Sequence, residues 1–375
     1  MEFRDLKQQY RVLQPEINAA VHEVMASGAF IMGAPVRELE AQLAAYTGVK
    51  HCLTCANGTE ALTLALKALG VGPGDAVFVP DFTFFASAEV VALEGATPVF
   101  VDVCEDTFNL DAADLERAVA ATRTEGRLKP KAVIAVDLFG LPADYPAIRA
   151  VAKKYGLWVV EDAAQGFGGS IGEQRACSFG DIAATSFFPA KPLGCYGDGG
   201  AVFTDNDDWA ARVESLRVHG KGSTKYDNVR IGLNSRLDTL QAAILKVKLK
   251  AFAETELHAV QDAAAAYNAQ LCGAVATPVI PEGFASSWAQ YTIRLGSRDE
   301  RDAVQAALKE AGIPAMVYYP KPMHLQTAFA VLSGADACPV ATRLCEKVLS
   351  LPMHPYITLA EIQQVGSAVR LAVAR

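Results

Sequence analysis

A carboxylate and a lysine near the middle of the chain are the residues best suited to carry out chemistry. Asp162 ends the apolar run LWVVED at 157–162, so we expect it at the carboxyl end of a buried strand, where α/β sheets bind their ligands. Lys191 follows 29 residues later, within SFFPAKPLGCYGDGG at 186–200. The flanking prolines stiffen its loop, and the glycines that follow allow close backbone approach. A lysine whose pKa is lowered acts as a nucleophile and a proton shuttle.

An anion-binding helix start is the third candidate feature. Asn57, Gly58 and Thr59 follow a short strand at 51–55 and open the helical pattern ALTLALKAL at 61–69. The free N–H groups and the dipole at a helix start bind anions. Taken alone, each of the three features also fits an ordinary helix cap or a solvated surface lysine.

Strands and helices alternate in the first half of the chain, which predicts an α/β fold with a mostly parallel central sheet flanked by helices. Apolar runs typical of buried parallel strands lie at 77–80, 98–103, 132–138 and 157–161, with helical patterns between them at 86–93, 111–120 and 145–155. The second half predicts helices at 207–218 and 235–265, a strand at 290–295, and helices at 298–312 and from 359 onward. We expect a large domain over 1–245 and a connecting helix with a small α+β domain over 246–375, on which residues 1–30 are able to pack.

Composition limits the classes of function. The net charge of −8 argues against a nucleic-acid partner, which would need a basic surface. The charged start of the chain is not a signal peptide, and no run approaches the ~18 apolar residues of a membrane span, so we expect a cytoplasmic protein without membrane contact. Eight cysteines are then expected to be reduced thiols. No second pair at metal-ligand spacing accompanies Cys52 and Cys55, so we expect no metal site.

The three features occur together with further motifs in an order that resembles one protein class. The chain is similar over nearly its whole length to the fold-type I pyridoxal-phosphate (PLP) enzymes, and more narrowly to the DegT/DnrJ family of nucleotide-sugar aminotransferases. The motifs that carry this resemblance are GAFIMGAPVRELE (28–40), CANGTEAL (55–62), EDAAQ (161–165), the lysine loop with GDGGAVFT (197–204), and GLNSRLDTLQAAIL (232–245).

The resemblance implies how PLP would be held. Lys191 would carry the cofactor as a Schiff base, Asp162 would contact its pyridine nitrogen, and Gln165 would contact its ring hydroxyl. A negative partner keeps that nitrogen protonated, so that the ring accepts electrons. The phosphate would be bound by Gly58, Thr59 and Ser186.

One aromatic residue would stack on the cofactor ring. We assign Phe84 within DFTFFASAE, with Phe82 as the competitor, and expect Phe82 and Phe85 to pack in the core.

The resemblance also implies a homodimer with shared active sites. Asn234 in GLNSRLD would reach the cofactor phosphate of the neighbouring subunit. Arg236 would lie near anionic groups of the substrate, or would instead form a helix-start ion pair with a carboxylate such as Asp238. These two interpretations of Arg236 stay open.

Within the family, the lysine loop and the segments AQYT (289–292) and SLPMHPY (350–356) resemble aminotransferases that act on UDP-2-acetamido-2-deoxy-3-oxoglucuronate. These enzymes make diamino uronic acids of lipopolysaccharide O-antigens, and glutamate is the family's usual amino donor. Tyr318, Tyr319 and His324 are then expected near the sugar. The chain has Tyr318 where the resemblance leads us to expect histidine, and tyrosine cannot offer a positive charge to a uronate. Arg236, Lys321 and His324 are the candidate cations.

Three alternatives remain at this point. The first keeps the family and changes the substrate to a 3- or 4-keto-6-deoxyhexose attached to dTDP or GDP. The second is a PLP-dependent sugar dehydratase, which carries histidine where Lys191 stands here. The third is a regulatory protein on the same fold, which would need a DNA-binding segment or a broken site. The intact Lys191 and Asp162 speak against the last two.

Overall fold

The structure is a computed structural model that describes residues 1–224, 226–332 and 337–374. The strands in this part of the chain are β1 (His51–Cys55), β2 (Asp75–Pro80), β3 (Thr97–Val101), β4 (Lys129–Val136), β5 (Trp158–Asp162), β6 (Ser170–Ile171), β7 (Gln174–Arg175), β8 (Ile182–Ser186), β9 (Gly200–Thr204), β10 (Phe284–Ala285), β11 (Tyr291–Arg294) and β12 (Val348–Leu351).

The α-helices are α1 (Leu6–Ser27), α2 (Ala34–Thr47), α3 (Gly58–Leu69), α4 (Ala86–Leu93), α5 (Ala112–Glu125), α6 (Tyr145–Tyr155), α7 (Asp207–Leu216), α8 (Thr239–Ala251), α9 (Leu257–Leu271), α10 (Arg298–Glu310), α11 (Pro339–Lys347) and α12 (Leu359–Val373). Among the described residues, no helix combines the length and the apolar character that a membrane crossing requires.

Seven strands form the central sheet in the order β1-β9-β8-β5-β4-β2-β3. Only β9 runs antiparallel to its neighbours, so the predicted mostly parallel α/β fold is confirmed. The apolar runs that predict these strands are buried because helices cover both faces of the sheet. Side chains of β4 illustrate this, since Ile134 faces one core and Val133 the other, both fully buried.

The C-terminal part has its own core around the antiparallel pair β11 and β12. The predicted single helix over 235–265 is wrong in detail. Helix α8 begins at Thr239, and a wide π-type turn at Phe252–Glu256 separates it from α9. An extra residue in a turn shifts the helix face, and here Phe252 packs on the core of the central sheet while Val260 packs in the C-terminal core.

The N-terminal segment joins several parts of the molecule. Helix α1 packs against α8 through Leu13, Ile17 and Ile244. Before the helix, the carbonyl of Phe3 accepts a 3.1 Å hydrogen bond from the backbone of Met353. The start of the chain is therefore anchored to the C-terminal part as well as to the helix that leaves the central sheet.

A buried ion pair holds the edge of the central sheet. Arg217, at the end of α7, is 2% exposed, and its Nη1 lies 2.5 Å from Oε1 of Glu40 on α2 and 2.6 Å from the carbonyl of Thr54 on β1. The same Glu40 oxygen accepts a 2.8 Å hydrogen bond from the Thr54 backbone. The pair therefore fixes the end of β1, from which the chain continues into α3.

We expect Arg217→Met to destabilise the protein by about 3–5 kcal/mol, because it leaves the Glu40 carboxylate buried without its cation. Thermal unfolding monitored by circular dichroism measures this effect. The matched control is Arg149→Met, which removes a half-exposed partner of Asp181 and should cost at most about 1 kcal/mol. Equal melting temperatures for the two variants would contradict the role assigned to the buried pair.

Candidate active site

The ends of β5 and β8 bring the predicted carboxylate and lysine to one edge of the sheet. The two strands are parallel neighbours, with Asp162 paired with Ala184. The loop that follows β8 carries Lys191 and returns into β9, where Ser186 pairs with Gly200. Asp162 and Lys191 are close enough that each charge favours the charged form of the other.

Asp162 is a buried carboxylate with hydrogen-bond donors on both oxygens. It is 5% exposed, and burial raises its pKa. The hydroxyl of Ser87 donates to Oδ2 at 2.7 Å and the backbone of Ala164 donates to Oδ1 at 3.2 Å, and both oppose that rise. Lys191 opposes it as well. A buried carboxylate of this kind suits a cationic partner, such as a protonated ring nitrogen.

Lys191 lies in a loop whose backbone is closely constrained. Burial lowers the pKa of Lys191, and the attraction of Asp162 partly offsets this effect, while the nearby Arg4 lowers the pKa further. The Lys191 backbone donates to the carbonyl of Phe188 at 2.9 Å, and a Cβ on Gly194 would lie 2.5 Å from that same carbonyl oxygen. Glycine is therefore required at position 194. The lowered pKa of Lys191 favours the neutral amine, the form in which a lysine acts as a nucleophile.

The start of helix α3 lies beside the end of β8. Asn57 caps the helix, since its side-chain oxygen accepts a 2.8 Å hydrogen bond from the backbone of Glu60. A Cβ on Gly58 would lie 2.6 Å from Cβ of Ser186. This contact brings Gly58, Thr59 and the Ser186 hydroxyl to one place, where helix N–H groups and a hydroxyl together suit a phosphate.

Gln165 and two aromatic residues border the same region. The 3%-exposed Gln165 accepts from the backbone of Phe139 at 2.8 Å and donates to the hydroxyl of Tyr319 at 3.1 Å. Phe84 is 53% exposed, with its ring 6.2 Å from that of Tyr319, whereas Phe82 is 1% exposed in the core. Phe84 is thus the ring available to cover a flat ligand.

Two predicted residues lie in the exposed segment before α8. The side chain of Arg236 donates a 2.6 Å hydrogen bond to Oδ1 of Asn234. Within the described residues Arg236 makes no ion pair with Asp238, so the helix-start ion pair considered from the sequence is not formed. Instead, the two candidate residues bind each other.

His324 and Asp81 form a hydrogen-bonded clamp that holds the segment around His324 at the end of β2. The His324 side chain is fully enclosed, with Nδ1 2.6 Å from Oδ2 of Asp81 at the end of β2, and its backbone donates to Oδ1 of the same residue at 2.7 Å. The imidazole that the sequence analysis assigns to the substrate is thus hydrogen-bonded to Asp81 in an enclosed position. It positions the preceding segment, which contains Tyr318 and Tyr319. Cys338 completes this buried group of side chains.

Sequence reasoning missed two residues of this region. Ser87 is 75 positions from Asp162 in sequence, and nothing in its helical surroundings marks it as a partner of a carboxylate. Arg4 donates to the carbonyl of Lys191 at 2.8 Å across 187 positions. Its only sequence signal is a charge near the start of the chain.

Comparison with known proteins identifies the family of this chain. Residues 12–370 match the model of the DegT/DnrJ/EryC1/StrS aminotransferase family. A UDP-2-acetamido-2-deoxy-3-oxo-D-glucuronate aminotransferase of Pseudomonas aeruginosa is 46% identical, covering 98% of this chain and 99% of the relative. A UDP-N-acetyl-3-dehydro-alpha-D-glucosamine 3-aminotransferase of Acidithiobacillus ferrooxidans is 43% identical over 98% and 95% of the two chains. A relative of 46% identity from Geobacillus stearothermophilus is named a pleiotropic regulatory protein.

Solved structures agree with this placement. A DegT DnrJ EryC1 StrS aminotransferase from Brucella abortus matches with a TM-score of 0.97 and 49% identity over the full length of both chains. Solved structures of similar aminotransferases include PLP and PMP forms. The resemblance predicted from the motifs is confirmed: the chain belongs to the DegT/DnrJ/EryC1/StrS family of PLP-dependent aminotransferases.

Proposed function

We propose that this enzyme transfers an amino group from an amino acid, with L-glutamate as the expected donor, to C3 of a UDP-linked 3-keto-N-acetylglucosaminuronic acid. The similarity to the Pseudomonas aeruginosa enzyme over nearly the whole of both chains supports this substrate. The Acidithiobacillus ferrooxidans relative is also named for a UDP-linked 3-keto sugar. The product, a diamino uronic acid, would enter bacterial O-antigen or a related polysaccharide.

The proximity of the buried Asp162 and the half-buried Lys191 is the observation that carries the aminotransferase chemistry. When bound, PLP supplies an electron sink for the carbon that loses its proton. Asp162 would hold the proton on the pyridine nitrogen, and Gln165 would hydrogen-bond the ring hydroxyl. Phe84 would cover one face of the ring and exclude water from it.

The remaining residues of the site would bind the cofactor phosphate, transfer a proton and contact the sugar. The first N–H groups of α3, at Gly58 and Thr59, and the hydroxyl of Ser186 would bind the cofactor phosphate. The Nζ atom of Lys191 would carry the proton between the substrate carbon and C4′ of the cofactor, since burial lowers the pKa of Lys191 and favours the neutral amine. Tyr318 and Tyr319 would offer hydroxyl groups to the sugar.

We further propose a homodimer with shared active sites, in which Asn234 and Arg236 reach the neighbouring subunit. The segment before Asn234 exposes apolar side chains, with Val229 54% and Ile231 90% exposed, as expected of a surface that a partner covers. The expected cytoplasmic location is supported by the eight free cysteines.

The first prediction concerns the lysine. Borohydride treatment of the PLP-loaded enzyme should fix the cofactor to Lys191, and peptide mass spectrometry should find the label there. Lys191→Ala should lose both the labelled peptide and transamination, because among the residues that the structure describes Lys191 is the amine that the charge of Asp162 acts on. The exposed Lys321 provides the matched control, since Lys321→Ala should keep the label. Label on any other lysine of the wild-type enzyme would refute the assignment.

The second prediction concerns the hydrogen bond from Ser87 to Asp162. Ser87→Ala removes a donor that lowers the pKa of Asp162, so this pKa should rise. Because the ionised carboxylate is the active form, the acidic limb of the kcat/KM profile should move to higher pH by about one unit, the amount expected for one hydrogen bond to a charged group. Asp162→Asn, which does not titrate, should lose activity at every pH. An unchanged acidic limb in Ser87→Ala would contradict the assigned role.

The third prediction concerns the sugar. With glutamate as donor, kcat/KM should be highest for UDP-3-keto-N-acetylglucosaminuronate, lower for UDP-3-keto-N-acetylglucosamine, and lowest for dTDP- and GDP-linked keto-6-deoxyhexoses. Mass spectrometry of the products measures amination of each. A higher kcat/KM for a keto-6-deoxyhexose would replace the proposed substrate with the first alternative.

A further inference from the structure

A uronate differs from its neutral counterpart by one carboxylate, so an enzyme that prefers the uronate should offer a cation near the sugar. Two of the three cations expected from the sequence already have partners, and the third, Lys321, is exposed. His324 is enclosed against Asp81, and Arg236 is bonded to Asn234. Tyr318 carries no positive charge. The structure brings a different cation to the lysine loop.

This cation is Arg4, in the segment that precedes α1. One nitrogen of its guanidinium, Nη2, donates to the carbonyl of Lys191 at 2.8 Å and approaches the carbonyl of Pro192 at 3.4 Å. Within the described residues, no carboxylate lies within 4.0 Å of Arg4, and its Nε and Nη1 make no hydrogen bond. The side chain is half-buried, and burial lowers its pKa to about 10, so it stays charged at neutral pH.

Two further cations, Lys191 and Lys248, lie near Arg4. Lys248 is 1% exposed and lies close enough for each cation to disfavour the other. The negative charge of Glu256 raises the pKa of both Arg4 and Lys248. Glu256 already accepts hydrogen bonds from Gln9 at 2.9 Å and from Tyr356 at 2.6 Å. Glu256 is therefore shared by two cations, the half-buried Arg4 and the buried Lys248.

The position of Arg4 also relates it to the sugar side of the site. Its neighbour Phe3 lies with its ring 6.2 Å from that of Tyr318, at the place where the resemblance leads us to expect a histidine. The backbone of Phe3 is fixed by Met353. Arg4 is thus next in sequence to a residue that contacts Tyr318.

We propose that Arg4 binds the C6 carboxylate of the uronate substrate and so determines the preference of the enzyme for a uronate over a neutral sugar. This inference rests on the proposed function. The hydrogen bond to Lys191 fixes one side of the guanidinium, and the remaining donors lie in one plane, which matches the two oxygens of a carboxylate. The cofactor phosphate has its own site at the start of α3, so it does not compete for this cation.

The test compares two ligands that differ only at C6, UDP-N-acetylglucosaminuronate and UDP-N-acetylglucosamine. Calorimetry on the PLP-loaded enzyme gives the Kd of each. The wild type should bind the uronate at least tenfold more tightly, and Arg4→Met should remove this preference without weakening the neutral ligand more than threefold. Arg4→Lys should keep part of the preference, because it keeps the charge. Arg11→Met, at an exposed position of α1, is the matched control and should behave as the wild type.

Other outcomes overturn the inference in distinguishable ways. If Arg4→Met weakens both ligands equally, or loses the borohydride adduct on Lys191, then Arg4 only supports the lysine loop. If Arg236→Met or Lys321→Met removes the preference while Arg4→Met keeps it, another cation binds the carboxylate. If Arg4→Met slows only the single-turnover reaction with glutamate, Arg4 binds the donor. If the wild type shows no preference, the proposed uronate substrate itself fails.

Discussion

The attraction between the buried carboxylate of Asp162 and the half-buried amine of Lys191, at the end of two parallel strands, is the constraint on which this site depends. Asp162 and Lys191 both lose hydration, which raises the pKa of the acid and lowers that of the lysine. The charge of each group partly offsets the pKa shift of the other. The hydrogen bond from the Ser87 hydroxyl also opposes the rise in the pKa of Asp162. The two side chains approach each other because β5 and β8 are parallel neighbours, whose carboxyl ends lie at the same edge of the sheet.

The loops around this pair are shaped by close backbone contacts. Gly58 approaches Ser186, Gly194 approaches Phe188, and Gly200 approaches Asn57, each at a distance that excludes a Cβ. These contacts bring the start of α3 beside the lysine loop. Close backbone packing thereby holds together the helix start proposed to bind the phosphate and the amine of Lys191.

The ends of the chain complete the site from outside the central sheet. The N-terminal segment places Arg4 on the carbonyl of Lys191 and Phe3 on Tyr318. The clamp between His324 and Asp81 fixes the segment with Tyr318 and Tyr319 at the end of β2. The residues proposed to face the sugar therefore come from segments distant in sequence, and their arrangement depends on how these segments pack together.

The sequence by itself determined the class of fold, the cofactor chemistry and the principal residues. Apolar runs fix parallel strands through local periodicity, and Asp162, Lys191 and the α3 start belong to motifs that are contiguous in the chain. Tertiary structure alone decided what depends on contacts across long separations. It enclosed His324 against Asp81, gave Asp162 a donor in Ser87, and brought Arg4 to the lysine loop. No local pattern encodes these contacts, because each forms only when the layers pack and the burial of a charge selects its partner.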